Sequence, residues 1–154
     1  MKYIVTKSFN KDGIWGRFDI DVGETLNSMN GIICYNDHQV CFERSQNAHD
    51  HFTFDEDGNG LERRMLIDEI FSILSEMHKK YDDAVKEILN DETLTPEERE
   101  EAISKLVDEA ALAFERIHAD AELDALLTNG VWNHSFYVAQ ISTLQKLKYV
   151  ICEV

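Results

Sequence analysis

Two stretches of this 154-residue chain carry side chains suited to chemistry. The first is Asp55-Glu56-Asp57-Gly58-Asn59-Gly60-Leu61-Glu62-Arg63. Asp55, Asp57, Asn59 and Gly60 match the first, third, fifth and sixth positions of a calcium loop with a helix after it. The twelfth position, which must supply a bidentate glutamate, is Leu66, and no second loop follows. The spacing therefore predicts a polar turn rather than a metal site. Asp57 or Asn59 would cap a helix, and Gly58 and Gly60 would supply permissive backbone angles. Glu62 and Arg63, in the first helical turn, point back at the loop and are candidate ligand contacts. The second stretch is Trp132-Asn133-His134-Ser135-Phe136-Tyr137. Trp132, Asn133, His134 and Tyr137 could stack a planar ring and hydrogen-bond its edges. The alternative is a packed junction, sealed by Trp132 and Phe136, in which Asn133 and His134 satisfy turn amides.

Other combinations are weaker. His49 and His51 are two residues apart, on different faces of any helix, with no third metal ligand nearby. Cys34 and Cys41 face each other across an expected hairpin and read as core residues, not redox partners. No nucleophile elbow, phosphate loop or paired-histidine zinc helix occurs. The expectation is a protein that acts by binding, with no catalytic residue, cofactor or metal.

The elements that must position these residues fall into three parts. Residues 1–54 read as a small antiparallel β unit. Tyr3, Val5 and Lys7 alternate with Ile4, Thr6 and Ser8, and Ile14 to Ile20 follows the turn signal Lys11-Asp12-Gly13. Ile32 to Tyr35 and Gln39 to Phe42 flank Asn36-Asp37-His38 as a hairpin. Ser45-Gln46-Asn47 would cap a short helix running through His49 to Phe52. Residues 55–130 read as an antiparallel helical hairpin. Its first arm runs from about Leu61 to Asn90, with Leu66, Ile70, Ile73, Met77, Ala84 and Ile88 as its stripe. The second opens at Thr95-Pro96-Glu97-Glu98, a cap followed by proline and acids, and ends at Thr128-Asn129-Gly130. Its stripe is Ile103, Leu106, Ala110, Ala113 and Ile117, with Val107, Phe114 and Ala121 alongside. Arms of roughly 45 Å would outreach a sheet of this size and project their tip. Residues 131–154 pack back on the β unit, with Ser142 to Val150 a short helix. An antiparallel hairpin returns its exit beside its entrance, so the two stretches should meet at its base. The fold class is α+β, as one folding unit.

Charge follows the same division. The net charge is −15, and residues 55–130 hold 22 acidic against 8 basic residues. Such a chain lacks the clustered cations that direct nucleic-acid binding or an anionic membrane surface requires. The sequence contains no apolar run of membrane-spanning length. Charges inside the first apolar stretch argue against a signal peptide, and three cysteines without metal spacing suggest a reducing cytoplasm. Asp82, Asp83, Glu87, Asp91, Glu92, Glu97, Glu98 and Glu101 are the candidate partner-binding row, extended by Glu100, Asp108 and Glu109. One acidic stripe would favour mimicry of nucleic acid toward a basic protein groove, and an even scatter would favour solubility alone. The apolar flanks of the arm also allow a homodimer.

Asp57-Gly58-Asn59-Gly60-Leu61-Glu62-Arg63, the preceding Ser45-x-Asn47-Ala48-His49-x-x-Phe52 and the late Trp132-Asn133-His134-x-Phe136-Tyr137 resemble small phage and mobile-element proteins of Firmicutes. The likeness spans roughly residues 1–70 and 131–154. In that group the middle is shorter, more basic and more aromatic than the long acidic hairpin here. The resemblance implies an accessory phage protein in a bacterial cytoplasm, a class rich in inhibitors of host defence. Two functions follow as expectations. One is an anti-CRISPR-like inhibitor that binds a host protein through the acidic hairpin. The other is an anti-Thoeris-like sponge that holds a nucleotide signal at the hairpin base.

Overall fold

A computed structural model describes residues 1–13, 16–130 and 135–153 of the chain. Seven short strands precede the helical region except for one helical turn. They are β1 (Lys2–Val5), β2 (Phe9–Gly13), β3 (Gly16–Ile20), β4 (Thr25–Met29), β5 (Ile32–Tyr35), β6 (His38–Phe42) and β7 (Phe52–Phe54). Helix α1 (Gln46–His51) lies between β6 and β7. Five strands form an antiparallel sheet in the order β6-β5-β4-β1-β7, and β2 pairs with β3 as a separate ribbon. Alternation along β1 turns Tyr3 and Val5 into a core with Leu26, Ile33, Val40 and Phe52. Phe9 and Ile20 bring the ribbon into the same core.

Turn chemistry sets the register. Asn36 and Asp37 both have positive φ, 47° and 65°, the two-residue primed turn that matches strand twist. Asn30-Gly31 makes the equivalent turn, at 52° and 79°, between β4 and β5. Ser45 caps α1 as expected, its hydroxyl accepting from the Ala48 N–H at 3.2 Å. Three expectations are corrected. Lys11-Asp12-Gly13 is no turn but the end of β2, paired with Gly16–Phe18, and Ile14 falls outside the described residues. Phe52 does not end the short helix; Phe52 and Phe54 are β-formers that extend to pair with Val5 and Tyr3. A bulge between Ile33 and Cys34 sets Cys41 opposite Ile33 and Cys34 opposite Gln39, so the two free cysteines are not cross-strand partners.

The hairpin is present. Helix α2 (Gly60–Asn90) runs out and α3 (Pro96–His118) returns. Thr95 accepts from the Glu98 N–H at 3.2 Å, and its hydroxyl donates to the Glu98 carboxylate at 3.2 Å. Asp91 closes the tip by accepting from the Thr93 N–H and hydroxyl. The second arm is shorter than expected. Asp120 accepts from the N–H groups of Glu122 and Leu123 and starts a separate helix, α4 (Ala121–Gly130). With 23 residues, α3 is about 35 Å long. The turn at 119–120 exposes Ala121 and instead sends Leu123 and Leu126 inward. They join Ile67, Ile70, Ile117 and the buried face of α6 (Ile141–Cys152), which is Leu144, Leu147 and Ile151, in a second core. A single turn, α5 (Ser135–Val138), adds Phe136. From Phe71 to Leu112 no residue is fully buried, so the far part of the hairpin is a two-helix arm.

Gly60, the first residue of α2, packs tightly against the sheet. A Cβ there would sit 2.8 Å from Asp55 Oδ1, from Ile4 Cγ2 and from the Phe54 carbonyl oxygen. Gly60→Ala should therefore lower the stability measured by urea unfolding by about 1–3 kcal/mol, the cost of forcing extra volume into packed structure. Gly58→Asn, at a φ of 74° with open space around it, should cost much less.

Candidate functional site

The base of the arm is organised by Arg63. Its side chain is 1% exposed and lies between the two cores. Nε donates to the Ala139 carbonyl at 2.8 Å, Nη1 to the Phe54 carbonyl at 2.8 Å, and Nη2 to the Asp57 carboxylate. The guanidinium also lies over the Phe54 ring, 5.7 Å from its centroid. One side chain thus joins β7, the 55–59 loop, α2 and the α5–α6 junction. These bonds leave Arg63 a structural clamp rather than the expected ligand contact. Glu62, beside it, is exposed on the first turn.

The loop before α2 is a turn whose carboxylates face its own amides. Asp55 Oδ1 accepts from the Gly60 N–H at 2.8 Å and Asp57 Oδ1 from the Asn59 N–H at 3.1 Å. Asn59 occupies the capping position, but its side chain makes no capping bond, and Asp55 satisfies the first helical N–H instead. Gly58 supplies the left-handed conformation; Gly60 is needed for space. Among the described residues no group of three potential metal ligands converges.

A cavity of about 590 Å³ opens beside this joint, between the sheet, α1 and α5. Tyr3, Phe52, Phe54 and Tyr137 give it aromatic walls. Glu43, Arg44, His49 and Ser135 supply polar groups. The Tyr3 hydroxyl donates to Glu43 Oε1, which also accepts from the Ser28 hydroxyl at 3.3 Å. Burial, then the hydrogen bond to Glu43, pushes the Tyr3 pKa far up, so the phenol keeps its proton. On the opposite wall the Tyr137 hydroxyl and His49 Nε2 are 2.8 Å apart, with the rings edge to face at 4.6 Å. Arg64 covers the Tyr137 ring at 5.5 Å, donates to the His49 carbonyl at 3.3 Å and pairs with Asp68.

Of the residues expected at the base, Tyr137 lines this cavity and Arg63 and Glu62 do not. Trp132, Asn133 and His134 lie outside the described residues. Phe136 is fully buried against Phe71, ring centroids 5.3 Å apart. His49 and His51 do face apart. His51 is buried, its Nδ1 3.1 and 3.0 Å from the Lys7 and Ser8 carbonyls and its ring edge-on to Phe9. Sequence reasoning missed Glu43, Arg44 and Arg64. The charge of Glu43 and Arg44 on a short β unit was a signal, but only the strand order β6-β5-β4-β1 brings Tyr3 toward Glu43.

The arm carries the acidic row. Asp82, Asp83, Glu87, Glu92, Glu97, Glu98, Glu100, Glu101, Asp108 and Glu109 are exposed. Asp91 is half-buried and serves the tip turn, and Arg99 is turned inward onto the Asp91 carbonyl at 2.8 Å. Glu97, Glu101, Asp108 and Glu115 recur at four- and seven-residue steps along the outer face of α3. On the far half of α2, Asp82, Asp83 and Glu87 alternate with Lys79, Lys80 and Lys86. The acidity is thus a stripe on α3 and the tip, not on both arms. No family model, curated protein or solved structure matches this chain.

Two outcomes follow. Arg63→Ala should destabilise the fold by about 2–5 kcal/mol, because it empties the space of a large buried side chain and leaves two part-buried carbonyls without their donor. Arg63→Lys should rescue little of that, since one ammonium cannot reach three acceptors on different elements. The second concerns pH. Burial, reinforced by the Arg64 charge and opposed by Asp50, holds the His49 pKa below its ordinary 6.5. A base whose folded pKa is lowered contributes stability that is present above 6.5 and lost as pH falls through the lowered value. Between pH 7 and 5 the melting temperature of the native chain should therefore fall more than that of His49→Gln.

Proposed function

We propose that the protein acts by binding, as a non-enzymatic inhibitor that engages a host protein through its acidic arm. In the setting implied by the resemblance to phage accessory proteins, this is an anti-CRISPR-like inhibitor of host defence acting in the bacterial cytoplasm. The observation that carries the reading is the line Glu97, Glu101, Asp108 and Glu115 on α3, continued to the tip by Glu92, Glu98 and Glu100. Carboxylates in a row on a rigid rod present to a basic groove the repeating negative charge that nucleic acid would present. Among the described residues, no helix is long and apolar enough to cross a membrane. Val107 and Leu112, 59% and 63% exposed on α3, stand on either side of this line, so a homodimer formed through both would compete with this use of the arm.

A second reading, a small-molecule binder, is favoured by the cavity at the base of the arm. Its nucleotide form is weakened by Arg63, the cation expected to meet phosphate, which is buried in the clamp.

The test is capture of the partner from host lysate by the native chain and by a variant carrying Glu97→Lys, Glu101→Lys, Asp108→Lys and Glu115→Lys. The quadruple variant should stay folded by circular dichroism and lose capture. Capture by the native chain should weaken as salt rises, because exposed charges are screened beyond about 8 Å at physiological ionic strength. Retention by the reversed arm together with loss in His49→Ala would hand the function to the cavity.

A further inference from the structure

We propose that the cavity between the sheet, α1 and α5 binds an organic cation, a protonated or quaternary amine, with the Glu43 carboxylate as counter-ion and the surrounding aromatic rings as walls. This deepens the small-molecule reading by naming the ligand class, and it is independent of the acidic arm.

The lining selects the charge. Four aromatic side chains, Tyr3, Phe52, Phe54 and Tyr137, line the cavity, and aromatic rings attract cations through their quadrupoles. Phe54 and Tyr137 already hold the Arg63 and Arg64 guanidiniums, which leaves Tyr3 and Phe52 as the lining rings without a guanidinium among the described residues. Glu43 is half-buried, and its Oε1 is held in place by the Tyr3 and Ser28 hydroxyls. Among the described residues Oε2 has no hydrogen-bond or ion-pair partner. Tyr3 is locked as a donor by that bond, which orients the carboxylate rather than neutralising it. His49 is held toward its neutral form by burial and by Arg64, so it adds no competing charge above pH 6.5. Arg64 is engaged on the outer side with Asp68 and the His49 carbonyl. Two charges oppose a bound cation: Arg44, exposed, whose flexible chain can swing into solvent, and the Met1 ammonium, which is held on the Ser28 carbonyl at 3.2 Å. The field of a chain with net charge −15 raises the local concentration of cations and lowers that of phosphates.

The same chemistry has two sources, a free amine and a cationic side chain of a partner protein. Isothermal titration of the full chain with choline, with its neutral isostere 3,3-dimethylbutan-1-ol, with a trimethyllysine peptide and with AMP separates them. Choline should bind about tenfold more tightly than the neutral isostere, the scale of a partly desolvated cation–π contact. Glu43→Gln should lose most of that preference, and Arg44→Ala should strengthen choline binding, both variants being checked by circular dichroism. Tighter binding of the peptide than of choline would identify a partner side chain as the source, and the reverse a free amine. Equal affinity for choline and its isostere, or weaker choline binding by Arg44→Ala, would overturn the proposal. Binding of AMP without choline would overturn it while leaving the cavity a ligand site. If none of the four bound, both the ligand class and the small-molecule reading would fall.

Discussion

A single buried guanidinium decides how this protein is put together. The sheet core and the helical core are separate clusters, and neither reaches across the joint between them. Arg63 fills that joint and converts it into hydrogen bonds to Phe54, Ala139 and Asp57. Burying a charge is costly unless it is paired and its donors are met. The surrounding structure must therefore hold two backbone carbonyls and a carboxylate in one plane around it. That requirement explains the tight chain path at Gly60 and the placement of Asp57 in a turn closed by its own amides. A hydrophobic residue could fill the volume, but it would leave the Phe54 and Ala139 carbonyls without this donor.

Given that joint, the arm needs only its root to be buried. Helix α6 covers the near half of α2, and Leu144, Leu147 and Ile151 complete the core begun by Ile67 and Ile70. Lys148 to Glu69 and Lys146 to Asp120 fasten its outer edges. Beyond Met77, the last α2 residue packed against the second core, the two helices have each other, which leaves their contacting residues half-buried. The tip is closed locally by Thr95, Asp91 and Arg99. The far arm should fray and exchange its amides before the root does, for it has the fewest buried contacts.

Much of this was legible in the sequence because it is local. The Thr95-Pro96 start, the Asn36-Asp37 turn, the Ser45 cap and the stripe of α6 each depend on a few adjacent residues. Asn30-Gly31 was an equally clear hairpin signal, but Thr25–Met29 buries only Leu26 and gives little alternation to set against it. The break at Asp120 was hidden because residues on either side are good helix formers. It is selected by Asp120 capping α4 and by the room the turn gives Leu123 and Leu126 beside α6. The roles of Arg63 and Glu43 were not legible at all. Their partners lie between 9 and 76 residues away for Arg63's two carbonyls, and 40 away for the Tyr3 hydroxyl that holds Glu43.

The distribution of charge has the same origin as the architecture. Half of the basic residues of the middle segment, its four arginines, are drawn into structural roles, while Lys79, Lys80, Lys86 and Lys105 stay exposed. Arg63 is buried, Arg64 lies on Tyr137 and Asp68, Arg99 turns onto the Asp91 carbonyl, and Arg116 pairs with Glu153. Arginine suits these places because its fixed fork can meet several acceptors at once. Most acids of α3 have no such assignment, and they remain on the outer face. A chain with 22 acids and 8 bases in this segment thus displays an outer surface more one-sided than its composition, because the folding joints engage its arginines. The arm's negative face is a consequence of how the base is built, and a partner surface there would exploit a field that the fold already maintains.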